Sequence, residues 1–164
     1  MLREGDKAPL GLHVLDSEGR KASLASFAGR YVILYFYPED DSPDCTRQAC
    51  DIRDAHDRIK KLDAVVIGVS PDSPGSHRAF IAHNGINFPL WSDKRHALME
   101  EFGAWRMIPF MGDAYSHLNR SMFAIKPDGT IAKVWETINP EHHGEDIMNF
   151  LKSVRRPNPP RRPA

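Results

Sequence analysis

No apolar run in this chain approaches the length of a membrane span, and neither sign of charge prevails: Lys plus Arg and Asp plus Glu both number 22. The first absence argues against an integral membrane protein. The second argues against a nucleic-acid partner, which selects a strongly basic face. Cysteine is scarce as well. Two thiols in 164 residues are too few for a secreted disulfide scaffold, and in a reducing compartment a close pair reads as catalytic or metal-binding. There is no Cys-x-x-Cys pair, which argues against a disulfide oxidoreductase. Residues Met1–Pro9 are acidic and polar where a signal peptide is basic and then apolar, so the expected location is the cytoplasm.

What is present reads as an α/β chain. Leu12–Leu15 and Arg20–Leu24 flank the turn Asp16-Ser17-Glu18-Gly19 and predict an N-terminal hairpin, followed by a helical turn over Ser23–Phe27. Tyr31–Tyr37 and Ala64–Ser70 are continuous runs rich in β-branched and other apolar residues, the pattern of strands covered on both faces. Helices are predicted over Cys45–Leu62, over Ser76–His83 with Asn84-Gly85 as its C-cap, over Lys94–Phe102 and over Glu141–Val154. Phe88–Trp91 is short and extended. Residues 104–119 mix Trp105, Met107, Ile108, Phe110, Met111 and Tyr115 with Pro109 and Gly112 and read as a loop packed on the core. Ser121–Ile125 and Thr130–Glu136 form a hairpin through Lys126-Pro127-Asp128-Gly129. Strands that alternate with helices in the middle and pair as hairpins at both ends predict a mixed central sheet flanked by helices. One domain is expected over residues 1–154, with 155–164 a disordered basic Pro/Arg-rich tail.

The candidate chemistry lies at Ser42-Pro43-Asp44-Cys45. Ser42 suits an N-cap, Pro43 suits N1 and Asp44 faces the positive end of the helix dipole. Cys45 then falls at N3, where free backbone N–H groups favour a thiolate over a thiol. Asp40, Asp41 and Asp44 oppose that charge, so a cation is required, and Arg47 and Arg120 are the candidates. Taken alone, Cys45 fits a small buried hydrophobe equally well, and Cys50 fits the helix's apolar face. If both lie on one helix, their Cα atoms stand ~8.7 Å apart. A disulfide needs them within about 7 Å. The two can therefore bond only after the first turns of the helix unwind.

The segment Tyr35–Cys50 resembles the active site of peroxiredoxins of the Q type, the bacterioferritin-comigratory-protein subgroup. The family's proline, hydroxyl residue and peroxidatic cysteine fall on Pro38, Ser42 and Cys45, and the subgroup's resolving cysteine falls on Cys50. Gly68–Ser73 with His77, Phe88–Asp93, and Arg120–Ile125 followed by Pro127-Asp128-Gly129 extend the likeness over residues 5–150. The resemblance implies a thioredoxin-like fold with peroxiredoxin insertions and reduction of hydrogen peroxide and alkyl hydroperoxides. It implies a Cys45 sulfenic acid that condenses with Cys50 and is recycled by thioredoxin or a similar dithiol. Arg120 would stabilise the thiolate and orient the peroxide. No metal or organic cofactor is implied, and the subgroup is often monomeric. Ser42 stands where threonine is usual and Asp44 where glycine is usual. Leu10-Gly11-Leu12 departs from the family pattern near the N-terminus, which touches packing more than chemistry.

Two other readings use the same residues. A weakly peroxidatic redox sensor or adaptor would keep the fold and lose turnover. A metal protein would join His142-His143 to the cysteines, but adjacent helical histidines point about 100° apart and rarely share an ion.

Overall fold

The structure is a computed structural model that describes residues 1–136 and 142–154. The 155–164 tail lies outside the described residues, as does Glu141, the expected start of the last helix. The N-terminal hairpin is formed by β1 (Val14–Leu15) and β2 (Lys21–Ala22), and a 3-10 turn over Leu24–Phe27 follows it. Then come β3 (Tyr31–Phe36), α1 (Pro43–Lys61), β4 (Ala64–Ser70), α2 (Pro74–Asn84), β5 (Leu90–Ser92) and α3 (Ala97–Phe102). The chain continues with β6 (Trp105–Phe110), β7 (Asp113–Leu118), β8 (Met122–Ile125), β9 (Ile131–Trp135) and α4 (His143–Val154).

Among the described residues, seven strands form one sheet in the order β2-β1-β5-β4-β3-β8-β9. The pairs β3–β4 and β4–β5 are parallel, whereas β3–β8 and β8–β9 are antiparallel. The sheet is thus mixed, as the sequence pattern predicts. Side chains of β3 alternate between its two faces. Ile33, Tyr35 and Tyr37 join Cys45, Ile52, Ile59, Phe80, Ile147 and Leu151 from α1, α2 and α4. Val32, Leu34 and Phe36 join Trp91, Met99, Phe102 and Phe123 on the opposite face. A strand buried on both sides needs an unbroken apolar run, which is what Tyr31–Phe36 supplies.

Two helix starts differ from expectation for local reasons. α2 starts at Pro74 because Ser73 caps it, accepting the Ser76 N–H at 3.1 Å. α3 starts only at Ala97 because His96 is left-handed, at φ 60°. The reading of 104–119 as a loop on the core is corrected. β6 and β7 pair from Trp105↔Leu118 to Phe110↔Asp113 as a separate hairpin. Its turn residues Met111 and Gly112 both have positive φ, 50° and 85°, the geometry of a two-residue hairpin turn. Pro109 reads as a strand breaker, but in a two-stranded sheet both strands are edges and tolerate a missing N–H. Met107, Ile108 and Met111 are exposed, so they do not cover the core.

Candidate active site

β3 is hydrogen-bonded on both sides, and the chain leaves it at Phe36 to turn into α1. Pro38 sits exposed at the bend between them. Ser42 is the N-cap of α1, and its Oγ accepts the Cys45 N–H at 3.3 Å. Its hydroxyl points towards the Glu39 carbonyl at 3.5 Å. Pro43, Asp44 and Cys45 therefore occupy N1, N2 and N3 as read from the sequence. Cys45 is buried, 2 % exposed. It lies on the helix face that also buries Gln48, Ala49, Ile52, Ala55 and Ile59.

The cation at Cys45 is Arg120. β8 runs antiparallel to β3 with Tyr35 opposite Met122, so the residues just before β8 arrive beside the loop that follows β3. The Arg120 Nη2–H donates to Cys45 Sγ at 3.2 Å, and Nη1–H donates to Gln48 Oε1 at 2.6 Å. Arg47 is exposed and lies 3.8 Å from Asp44, itself exposed. Gln48 is not among the sequence candidates. It is fully buried, and the available signal is a polar residue three positions after Cys45 on the apolar stripe of α1.

The Asp40 carboxylate is taken up by donors from its own turn and from α2. Its carboxylate accepts hydrogen bonds from Tyr37 Oη–H (2.6 Å), Ser76 Oγ–H (2.7 Å) and His77 Nδ1–H (2.8 Å). Burial opposes ionisation of Asp40, but the hydrogen bonds from His77, Tyr37 and Ser76 outweigh it and hold the carboxyl below its ordinary range. The Asp40 N–H in turn donates to Asp72 Oδ2 at 2.8 Å.

Cys50 is half-buried on α1, and both cysteines are free thiols. On a continuous helix their Cα atoms stand ~8.7 Å apart, too far for a disulfide. Arg53 Nη1–H reaches Cys50 Sγ at 3.5 Å and the Asn84 carbonyl at 2.6 Å. One thiol thus meets a guanidinium at a helix N-terminus, and a second thiol waits one and a half turns away.

Residues 5–134 match the AhpC/TSA family. The peroxiredoxin Bcp of Bacillus subtilis is 38% identical over 92% of this chain and 95% of its own length. That of Escherichia coli K12 is 38% identical over 92% of this chain and 96% of its own. The chain belongs to the AhpC/TSA family of peroxiredoxins. The solved bacterioferritin comigratory protein of Xanthomonas campestris, studied for its alkyl peroxide reduction activity, superposes with a TM-score of 0.84 at 29% identity, covering 92% of this chain and 100% of that one. A solved peroxiredoxin Q of Xanthomonas campestris superposes with a TM-score of 0.83 at 31% identity, over 88% of this chain and 91% of that one. The fold is that of the thioredoxin-like peroxiredoxins, and the chain is a thiol peroxidase, which takes a hydroperoxide and a thiol reductant.

Two tyrosines are buried in the same core cluster as Cys45. Burial, then the charges of Cys45 and Asp40, push the Tyr35 phenol well above its ordinary range. Burial, then Tyr35 and Asp40, do the same to Tyr37. Both stay neutral, so Tyr37 can donate its proton to Asp40. Among the described residues, the group able to share a metal ion is Asp40, Asp72 and His77. Neither cysteine and neither of His142 and His143 belongs to it, and Asp40 and His77 already hydrogen-bond each other. No helix among the described residues is long and apolar enough to cross a membrane.

Proposed function

We propose that Cys45 is the peroxidatic cysteine and Cys50 the resolving cysteine of a thioredoxin-recycled peroxidase. The observation that carries this reading is the Arg120 Nη2–H donated to a buried Cys45 at N3 of α1. The Cys45 thiolate attacks the terminal peroxide oxygen. The O–O bond breaks, water or alcohol departs, and Cys45 becomes a sulfenic acid. The Cys50 sulfur then attacks the Cys45 sulfur. The S–O bond breaks, the hydroxyl leaves with the Cys50 proton as water, and a disulfide remains. A dithiol, thioredoxin by this reading, exchanges with that disulfide and restores both thiols.

Arg120 has two roles here. It offsets the thiolate charge, and its fork faces the place where negative charge develops on the departing oxygen. Ser42 holds the helix start through its oxygen and is poised to turn its hydroxyl towards a bound peroxide. Pro38 shapes the bend that delivers the loop to the site. Hydrogen peroxide and alkyl hydroperoxides are both within this chemistry. Action as a monomer is part of this reading. Both thiols must be reduced between turnovers, which fits the cytoplasm.

Stopped-flow kinetics with intact-mass detection test the reading. Cys45→Ser should abolish peroxide consumption. Cys50→Ser should keep the first, stoichiometric oxidation but lose turnover with thioredoxin. A Cys50→Ser protein that still turns over with thioredoxin would remove Cys50 from the cycle.

A further inference from the structure

Two groups of contacts tie the segment that carries both cysteines to α2, one group at each of its ends. Upstream, Asp40 accepts from Ser76 and His77, both in the first turn of α2, at 2.7 and 2.8 Å. The side chains of His77 and Asp40 are 0 % and 2 % exposed, so this pair is shielded from competing water. Downstream, Arg53 Nη1–H donates at 2.6 Å to the carbonyl of Asn84, the last residue of α2. The Arg53 carbonyl also accepts from Asn87 Nδ2 at 3.1 Å, just beyond that helix. α2 is itself held fast. Phe80 is buried in the core, and His77 Nε2 lies 3.0 Å from the Trp91 carbonyl of β5.

Cys45 and Cys50 both lie between these ties, and the helix must unwind before they can bond. Unwinding costs the Ser42 cap, the burial of Cys45, Gln48, Ala49 and Ile52, and the Gly144 N–H bond to Asp51, and nothing intrinsic to an α-helix stops it from fraying further. A charge-assisted hydrogen bond at each end does, because each additional residue released would have to break it. We propose that α2 grips the reacting segment at both ends, through Asp40 and through Arg53, and so confines the unwinding that brings Cys45 and Cys50 together to residues 41–52. This rests on the Cys45–Cys50 chemistry proposed above. Arg53 and Asp40 are positioning residues in it, since neither touches the peroxide.

The test is peptide-resolved hydrogen exchange on the full chain, reduced and after one equivalent of peroxide, with intact mass taken on the same samples. In the parent protein, oxidation should speed exchange over 41–56, because the amides of 53–56 donate to the carbonyls of 49–52, and leave 57–61 as protected as in the reduced form. In Arg53→Met, the oxidised form should also exchange about tenfold or more faster over 57–60, the effect of losing one hydrogen bond to a charged group. The reduced form should keep the parent pattern. Arg53→Lys, which keeps the charge but not the fork, should fall between the two. Asp40→Asn should move the upstream boundary back towards Tyr37. A variant whose exchange rises equally in both redox states would reveal ordinary destabilisation and overturn the grip. So would a bridged Arg53→Met protein whose boundary has not moved. If the parent shows no loss of two hydrogens on oxidation, the disulfide reading itself fails and the grip falls with it.

Discussion

Arg120 binds two side chains with one guanidinium, and that division of labour sets what each partner is worth. Its Nη2–H serves Cys45 and its Nη1–H serves Gln48. Removing the cation leaves the sulfur with only the helix N-terminus for compensation. Arg120→Met should therefore slow peroxide reduction by roughly 10²- to 10³-fold, the usual cost of a preorganised donor at a charged transition state. Gln48→Leu takes away one hydrogen-bond acceptor and keeps the charge. The bond lost comes from a charged donor, and at the low end of its worth, about 1.5 kcal/mol, the expected loss is roughly tenfold. Single-turnover stopped-flow rates of the two variants check the order. If the losses were equal, Gln48 would be doing more than holding the guanidinium. The exposed Asp44 faces solvent beside Arg47, so its replacement of the usual glycine leaves the buried side of the thiol untouched.

At the scale of elements, α1 carries the chemistry and α4 fixes where α1 sits. The start of α4 is docked on α1 by the Gly144 N–H, which donates to Asp51 Oδ2 at 2.8 Å. A Cβ on Gly144 would lie 2.8 Å from the Ala55 Cβ and 3.0 Å from the Asp51 carbonyl oxygen. Neither is the far end of a flexible side chain, so the two helices would have to separate. Gly144→Ala should cost about 1–3 kcal/mol, in the range of other overpacked sites. Urea denaturation of the reduced protein measures it, and a midpoint equal to the parent's would show that the helices part freely. Gly68 is confined in the same way: a Cβ there would meet Leu90 Cδ2 at 2.8 Å and the Tyr35 ring at 2.9 Å. That close approach leaves room for the Tyr35 ring, which stacks on Tyr37 with centroids 5.5 Å apart.

At the scale of the whole molecule, a buried imidazole on α1, His56, links stability to pH in the acid range. His56 is 1 % exposed, packs edge-on against Phe88 with centroids 5.6 Å apart, and accepts the Val66 N–H through Nε2 at 3.4 Å. Burial, reinforced by Lys60, pushes its pKa below the ordinary histidine value. The unfolded chain takes up a proton near pH ~6.5 that the folded chain resists, so the unfolded state binds more protons below that pH. Stability is then fully present above about pH 6.5 and declines as pH falls towards the lower folded value. His56→Gln, which retains an acceptor for Val66 but does not titrate, should flatten this decline. Urea midpoints of both proteins between about pH 5 and 8 decide it, and parallel curves would assign the acid sensitivity to other groups.

Local chemistry was legible in the sequence, and long-range pairing was not. The cap at Ser42, the Pro43 start and the N3 position of Cys45 depend on a few consecutive residues, as do the twice-covered strand Tyr31–Phe36 and the Gly85 stop of α2. Each follows from helix and strand periodicity alone, so each could be placed in advance. The choice of Arg120 over Arg47 was set by the antiparallel register of β3 and β8, which joins residues 75 positions apart. Asp40 meets His77 because α2 packs where it can supply donors, 37 positions away. The β6–β7 hairpin escaped notice because Pro109 masks a strand, and only the pairing of its two halves defines it. Which sulfur sits at a helix start follows from a few consecutive residues, since capping is settled within one turn. Which charge meets that sulfur is chosen by sheet register and helix packing, which no short stretch of sequence contains.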